Sequence, residues 1–400
     1  MSSSTKSKHT TSAFIWSRIL GTPFWAMLST LPILLYKELH ASPLIITLAI
    51  ALKPISALLA TYWSCYFCRT EKLLVPNLVL TNILRFLPFL FLFLTDSPWF
   101  ILLGFTLYMT LSRGAMPAWM EIFKSHIVGE AQSKVVALGN AIEYIGMTIL
   151  PLFLGIILDI DSHMWKLLFV ISAFLGMLST FFLMRIPTPE GEAIPTPTKN
   201  LLLPWKRALE LLRTQPTFLR YLAGFMIGGA GLMIIQPVLP AFFVDELKLS
   251  YTEMSLALVV CKGIAYSLSS PFWSSLFKKI NLFTFSALVT LLAVLFPLLL
   301  FAAGISPLFV FVAYLAYGFM QAGSELSWHM APVAFAREGR SLAFSETNLL
   351  AVGVRGCIVP FIGSLIALPF GSMGVMLVSA ALCAAATVLL YQYRTRSQSI

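Results

Sequence analysis

YWSCYF at Tyr62–Phe67 returns as FWSSLF at Phe272–Phe277, 210 residues further along the chain. Aligning the chain on this pair brings other identities into the same register. Upstream, Leu31-Pro32 and Glu38-Leu39 match Leu239-Pro240 and Glu246-Leu247 at an offset of 208. Downstream, Tyr108, Gly114 and Trp119 match Tyr317, Gly323 and Trp328 at 209; Asn140 matches Asn348 at 208 and Pro151 matches Pro360 at 209. Any one identity could be chance in a restricted apolar alphabet. A nearly constant offset along the whole repeat reads as a duplication.

Around these landmarks lie apolar segments at about 14–36, 43–67, 73–95, 98–122, 133–158 and 165–185, then at about 218–244, 253–277, 282–304, 307–335, 341–368 and 371–393. Each is long enough to cross a hydrocarbon core of about 30 Å, which takes ~20 helical residues. The composition agrees. Hydrophobic residues make up 58% of the 400 positions and charged ones 11%, against roughly 25% charged in a soluble domain, so a soluble fold would lack the means to cover its surface. The expected fold class is therefore an all-α integral membrane protein of about twelve transmembrane helices in two six-helix repeats. Three parts follow: an N-terminal half at 1–185, a cytoplasmic linker at 186–217 and a C-terminal half at 218–400. The linker opens on PTPEGEAIPTPTKN (Pro187–Asn200), an extended composition. Its PWKRALELLRT (Pro204–Thr214) sets Trp205, Leu209 and Leu212 against Lys206, Arg207, Glu210 and Arg213, which predicts a short amphipathic helix on the membrane surface, or else a solvated connector.

The net charge of +10 would suggest nucleic acid until the charges are placed along the chain. With both termini on one side, that side collects nineteen Lys and Arg and the other only Lys37, Lys166 and Lys248. This is a positive-inside pattern, and it predicts cytoplasmic termini and no nucleic-acid partner. Met1–Ser12 is polar with no cleavable apolar stretch, so the first helix is expected to target the chain. Five cysteines, an odd number, argue against a disulfide framework. Cys65 and Cys68 form a lone CxxC that reads as helix-packing thiols rather than a metal site.

Two parallel six-helix halves joined by a long linker resemble the major facilitator superfamily over nearly the whole chain. The family's marker loop, Gly-x-x-x-Asp-Arg-x-Gly-Arg-Arg, falls here at WSCYFCRTEKLL from Trp63 and at WSSLFKKINLF from Trp273. Arg69, Lys72, Lys278 and Lys279 keep its basic character while the glycines and the Asp are absent. Gly146, Pro151 and Gly155, and Gly356, Pro360 and Gly363, are distantly similar to the family's antiporter motif; helix packing explains them equally. The resemblance implies alternating access about a midplane site, helices 1, 4, 7 and 10 lining a cavity, a monomer, and residence in a cell membrane such as a bacterial inner membrane.

Ionisable side chains inside a bilayer cost ~2.5–3.5 kcal/mol at helix centre on insertion scales and mark pathways or partners. Lys53, Arg85, Arg113, Lys262 and Arg355 are cationic; Glu143, Glu325 and Glu346 are anionic. Lys53 and Lys262 are repeat mates 209 apart, with Ser56 and Ser64 on one face and Tyr266 and Ser269 on the other. They read as a cationic site for an anionic substrate, or as neutralisers of Glu143 or Glu325. Arg113 and Arg355 are further cavity candidates. Asn140 and Asn348 could bind substrate or hold helices together. Glu325 and His329, four apart, could form a proton relay with Glu143 as another proton-coupling carboxylate, or simply satisfy each other. Arg85 should have a local partner. Trp25 and Gln236 could touch ligand, though core packing is the plainer reading.

No phosphate loop, HExxH, zinc cluster or nucleophile elbow accompanies the helices, so no enzyme, cofactor or metal is expected. Secondary transport of a small organic anion, with a coupling proton or counter-substrate, ranks first. A proton-coupled exporter of lipophilic or drug-like compounds and a non-transporting membrane sensor or scaffold are the alternatives.

Overall fold

The computed structural model describes residues 3–67, 71–127, 130–188, 202–336 and 341–397. Cys68 and Arg69 of the first marker loop and most of the Pro-rich linker lie outside the described residues. The chain divides into two compact units, Met1–Pro197 and Thr198–Ile400. The first contains α1 (Ser3–Lys37), α2 (Pro43–Phe67), α3 (Glu71–Leu90), α4 (Pro98–Gly114), α5 (Met116–His126), α6 (Glu130–Ile160), α7 (Trp165–Leu178) and the single turn α8 (Thr180–Leu183). The second contains α9 (Leu203–Thr214), α10 (Pro216–Ile234), the turn α11 (Leu239–Ala241), α12 (Tyr251–Ser255), α13 (Lys262–Phe277), α14 (Leu282–Ala303), α15 (Leu308–Phe335) and α16 (Ser341–Ser397). No strand occurs among the described residues.

Nine of the described helices are long and apolar enough to cross a membrane. The other crossings are present in altered form. α4 has 17 residues and continues into α5 after Ala115. The second half of α15 carries Gln321, Ser324, Glu325 and His329, which dilute its hydropathy. α16 is two helices run together across Gly371, whose φ of 62° lies in the left-handed region open to glycine. Six membrane-length segments per unit result. Large apolar side chains stand outward, among them Leu94 and Ile160 at 81% exposure and Leu268 at 77%, a surface that only lipid can cover at low cost.

Within each unit the duplicated residues make the same contacts. Gly114 leaves room for the indole of Trp63, and a Cβ there would come within 2.7 Å of it; Gly323 does the same for Trp273, at 2.8 Å. The indole N–H groups are satisfied by different partners, Trp63 donating to the Asn77 side chain at 3.0 Å and Trp273 to the Phe319 carbonyl at 2.7 Å. Tyr108 packs on Phe86 at 5.6 Å and Tyr317 on Phe296 at 4.6 Å. Ser162 donates to Glu38 at 2.9 Å, and Ser372 donates to Glu246. His40 and Lys248, two residues beyond these carboxylates, both take positive φ, 46° and 52°. The turn after Glu-Leu is thus built alike in both copies.

One boundary reading is corrected. The polar N-terminal stretch is helical from Ser3, so α1 begins well before the apolar run expected from residue 14.

Candidate functional site

In the N-terminal unit α1 meets α6 as a ladder one turn per rung. Phe14 lies over Gly139, Arg18 pairs with Glu143, and Thr22 lies over Gly146. A Cβ at either glycine would overlap the facing side chain, and that close approach delivers the guanidinium to the carboxylate. Glu143 is therefore neutralised by Arg18, a partner not among the intramembrane charges singled out from the sequence. Arg85 has the local partners expected of it: it donates to Asn82 at 2.5 Å and Ser112 at 3.3 Å and lies over the rings of Phe86 and Tyr108. Lys53, Arg113 and Asn140 are exposed on α2, α4 and α6. Trp25 stacks on Tyr108 at 5.9 Å.

The C-terminal unit is built differently at the corresponding places. Gly318 brings α15 against the Lys262 carbonyl, closer than any Cβ would permit. On α13, Lys262 and Tyr266 share a face, being four apart; on α15, Tyr317, Gln321 and Glu325 do the same. These faces meet. Tyr266 donates its hydroxyl to Glu325 at 2.5 Å, Gln321 donates its amide to the other Glu325 oxygen at 3.2 Å, and the Lys262 ammonium lies 5.7 Å from the centre of the Tyr317 ring. His329 is exposed, and no hydrogen bond joins it to Glu325 among the described residues.

Arg355, on the first part of α16, lies over Gly229 of α10, where any side chain would occupy the place of its guanidinium. It donates to the Met226 sulfur at 3.8 Å, and its buried Nε has no hydrogen-bond partner. Asn348, 3% exposed and two turns earlier, also has a buried amide oxygen without a partner. Gln236 donates to the Leu232 carbonyl of its own helix. The halves thus share a frame but not a charge pattern: an ion pair between Arg18 and Glu143 in the first, and in the second a hydrogen-bonded Glu325 near Lys262 with Arg355 set apart against Gly229. Tyr317 and Gln321 were missed as site residues in the sequence. Only their spacing from Glu325 on one helix could have flagged them.

Residues 13–345 match the model of the Major Facilitator Superfamily. The chain belongs to this superfamily. Solved structures of the same fold include a variant of the nucleoside transporter NupG, with a TM-score of 0.74 and 14% identity over 96% of this chain and 99% of that one. Another is a POT family transporter in complex with 5-aminolevulinic acid, with a TM-score of 0.75 and 12% identity over 96% of each chain. A third is a bacterial homolog of the human lysosomal transporter Spinster, inward-facing and unoccupied, with a TM-score of 0.66 and 13% identity over 97% and 95%. No curated protein sequence matches the chain. At such identities the shared feature is the major facilitator fold, a multi-pass membrane architecture, and the side chains within it are this chain's own.

Proposed function

We propose that this major facilitator protein is a secondary active transporter that moves a small organic anion across a cell membrane by alternating access. Lys262 and Arg355 are its cationic contacts, and Glu325 carries the coupling proton. One observation bears most of the weight: the half-buried Arg355 guanidinium lies against Gly229, its Nε is buried without a hydrogen-bond partner, and the Met226 thioether is only a weak acceptor. A cation held inside a membrane protein at such cost is usually functional, and a carboxylate or phosphate ligand would supply the missing acceptor. Tyr266 and Gln321, bonded to the two Glu325 oxygens, orient that carboxylate beside Lys262, where arrival of an anion would alter its hold on a proton. In the N-terminal half, exposed Lys53, Arg113 and Asn140 are the remaining candidate contacts, and buried Asn348 joins Arg355. Glu143, held by Arg18, is left a structural part. The lysine and arginine distribution supports cytoplasmic termini, and the family habit supports a monomer.

Proteoliposomes loaded with unlabelled organic acids and offered labelled ones test this reading. Arg355→Ala and Lys262→Ala should each abolish most counterflow while the protein remains folded. Glu325→Gln should spare counterflow and abolish uptake driven by a proton gradient. Anion movement that survives Lys53→Ala with Lys262→Ala would instead favour an exporter of lipophilic compounds.

A further inference from the structure

Gln321 stands between the two halves of the α15 face, four residues after Tyr317 and four before Glu325. Its amide nitrogen is committed to Glu325 at 3.2 Å. That bond sets which end of the amide faces which way: the nitrogen toward the carboxylate, the oxygen away from it. The oxygen is buried and has no partner. A buried amide acceptor without a donor is costly, and buried polar groups in folded proteins are nearly always satisfied. Neighbouring side chains do not relieve it: Tyr266 donates its hydroxyl hydrogen bond to Glu325, and the Lys262 ammonium sits over Tyr317. A second acceptor, the Asn348 amide oxygen, is orphaned on α16 two turns from Arg355. The unit therefore presents unmet acceptors as well as unmet positive charge. A simple anion answers only the charge.

We infer that Gln321 is a specificity-determining residue whose amide oxygen accepts a hydrogen bond from the ligand, so that the preferred substrate is a carboxylate also bearing an O–H or N–H donor, a hydroxy or amino acid. This rests on the anion reading above and narrows it. The acid group goes to the cations and the donor to the α15 face, and a ligand lacking the donor leaves the Gln321 oxygen buried and unpaired in the complex. Sites built to bond a substrate hydroxyl or amine discriminate strongly against analogues without it for this reason.

The test uses the full-length protein in detergent and two probe series: succinate and malate, then 3-phenylpropionate and phenyllactate, which differ only in a hydroxyl, and aspartate and phenylalanine, whose donor is an ammonium that also adds a positive charge. Affinities are read from ligand-induced shifts in melting temperature. At least one donor-bearing member should bind about tenfold or more tightly than its parent acid, the scale of one good hydrogen bond. In Gln321→Met, which keeps the length and removes the acceptor, that ratio should fall to about one, and the melting temperature without ligand should fall modestly because the amide's bond to Glu325 is lost as well. Gln321→Asn, which keeps an amide on a shorter side chain, should keep part of the ratio and guards against a folding defect in the first variant. Parent acids binding as well as their hydroxy and amino counterparts would overturn this inference and leave the anion reading standing. A preference that persists in Gln321→Met would overturn the assignment to Gln321. If none of the six probes binds, the anion reading fails and this one with it.

Discussion

Arg18 and Glu143 illustrate what one charge does inside this protein. Each removes the other's cost, and both lie between glycines that allow α1 and α6 to touch. Removing one partner of such a pair typically costs ~3–5 kcal/mol because the survivor is stranded. Arg18→Leu or Glu143→Leu alone should lower the melting temperature sharply, and the double substitution should recover most of it; a cycle of the four proteins measured by thermal unfolding decides this. His126, at the end of α5, is a second case. It is 4% exposed, is hydrogen-bonded to Thr10 at 2.8 Å, and its Nε2 has no partner. Burial, with Lys6 adding like charge, holds its pKa below the usual imidazole value. The unfolded chain then binds the proton more readily than the folded one, so this group's contribution to stability is complete above about pH 6.5 and shrinks as the pH falls below it. Melting temperatures taken from pH 8 down to pH 5 should drop less in His126→Asn than in the parent. Arg18 also marks where the sequence was least legible. Its partner lies 125 residues away and leaves no local trace. Lys262 and Glu325 were visible because an ionisable residue in an apolar run stands out by itself; Gln321 and Tyr317, neutral and unremarkable in composition, did not.

Among the helices, glycine placement governs which pairs come close enough to build a site. Gly318 is the clearest instance, since α15 rests there on the backbone of α13 at Lys262. Gly318→Ala would force the two apart, and overpacking of this kind costs roughly 1–3 kcal/mol. The expected result is a lower melting temperature together with weakened anion binding, because Lys262 and Glu325 would separate. Gly371 has the opposite need: nothing lies within 4 Å of a Cβ there, but its φ is 62°. Gly371→Ala should cost only about 1–2 kcal/mol of backbone strain and leave binding intact. Apolar runs and turn residues announced most helices within a few residues. The 98–122 run proved to be α4 and α5 broken at Ala115, and the last two runs continuous but for Gly371. Hydropathy averages across such breaks, whereas backbone geometry does not.

At the level of the whole molecule, the duplication read from a hexapeptide pair is realised as matching contacts: tryptophan on glycine, tyrosine on phenylalanine, serine on glutamate. Contacts inherited in two copies should weigh alike. Gly114→Ala and Gly323→Ala are expected to lower the melting temperature by similar amounts, and a large disparity would argue that the resemblance is superficial. The charges diverged while the frame did not. No sequence pattern could forecast that Arg355 would lie over a glycine while its counterpart position in the first copy, Gly146, faces Thr22.

The serine-to-glutamate fasteners carry one more implication. Since each closes wholly inside its own half, an ancestral single-copy protein could already have possessed it before the gene doubled. A polypeptide severed near residue 197 should therefore yield two fragments that each keep their helices tied at the loop ends. Trypsin digestion of the separately expressed pieces, with Glu38→Ala or Glu246→Ala as the loosened controls, would reveal whether either half still remembers standing alone.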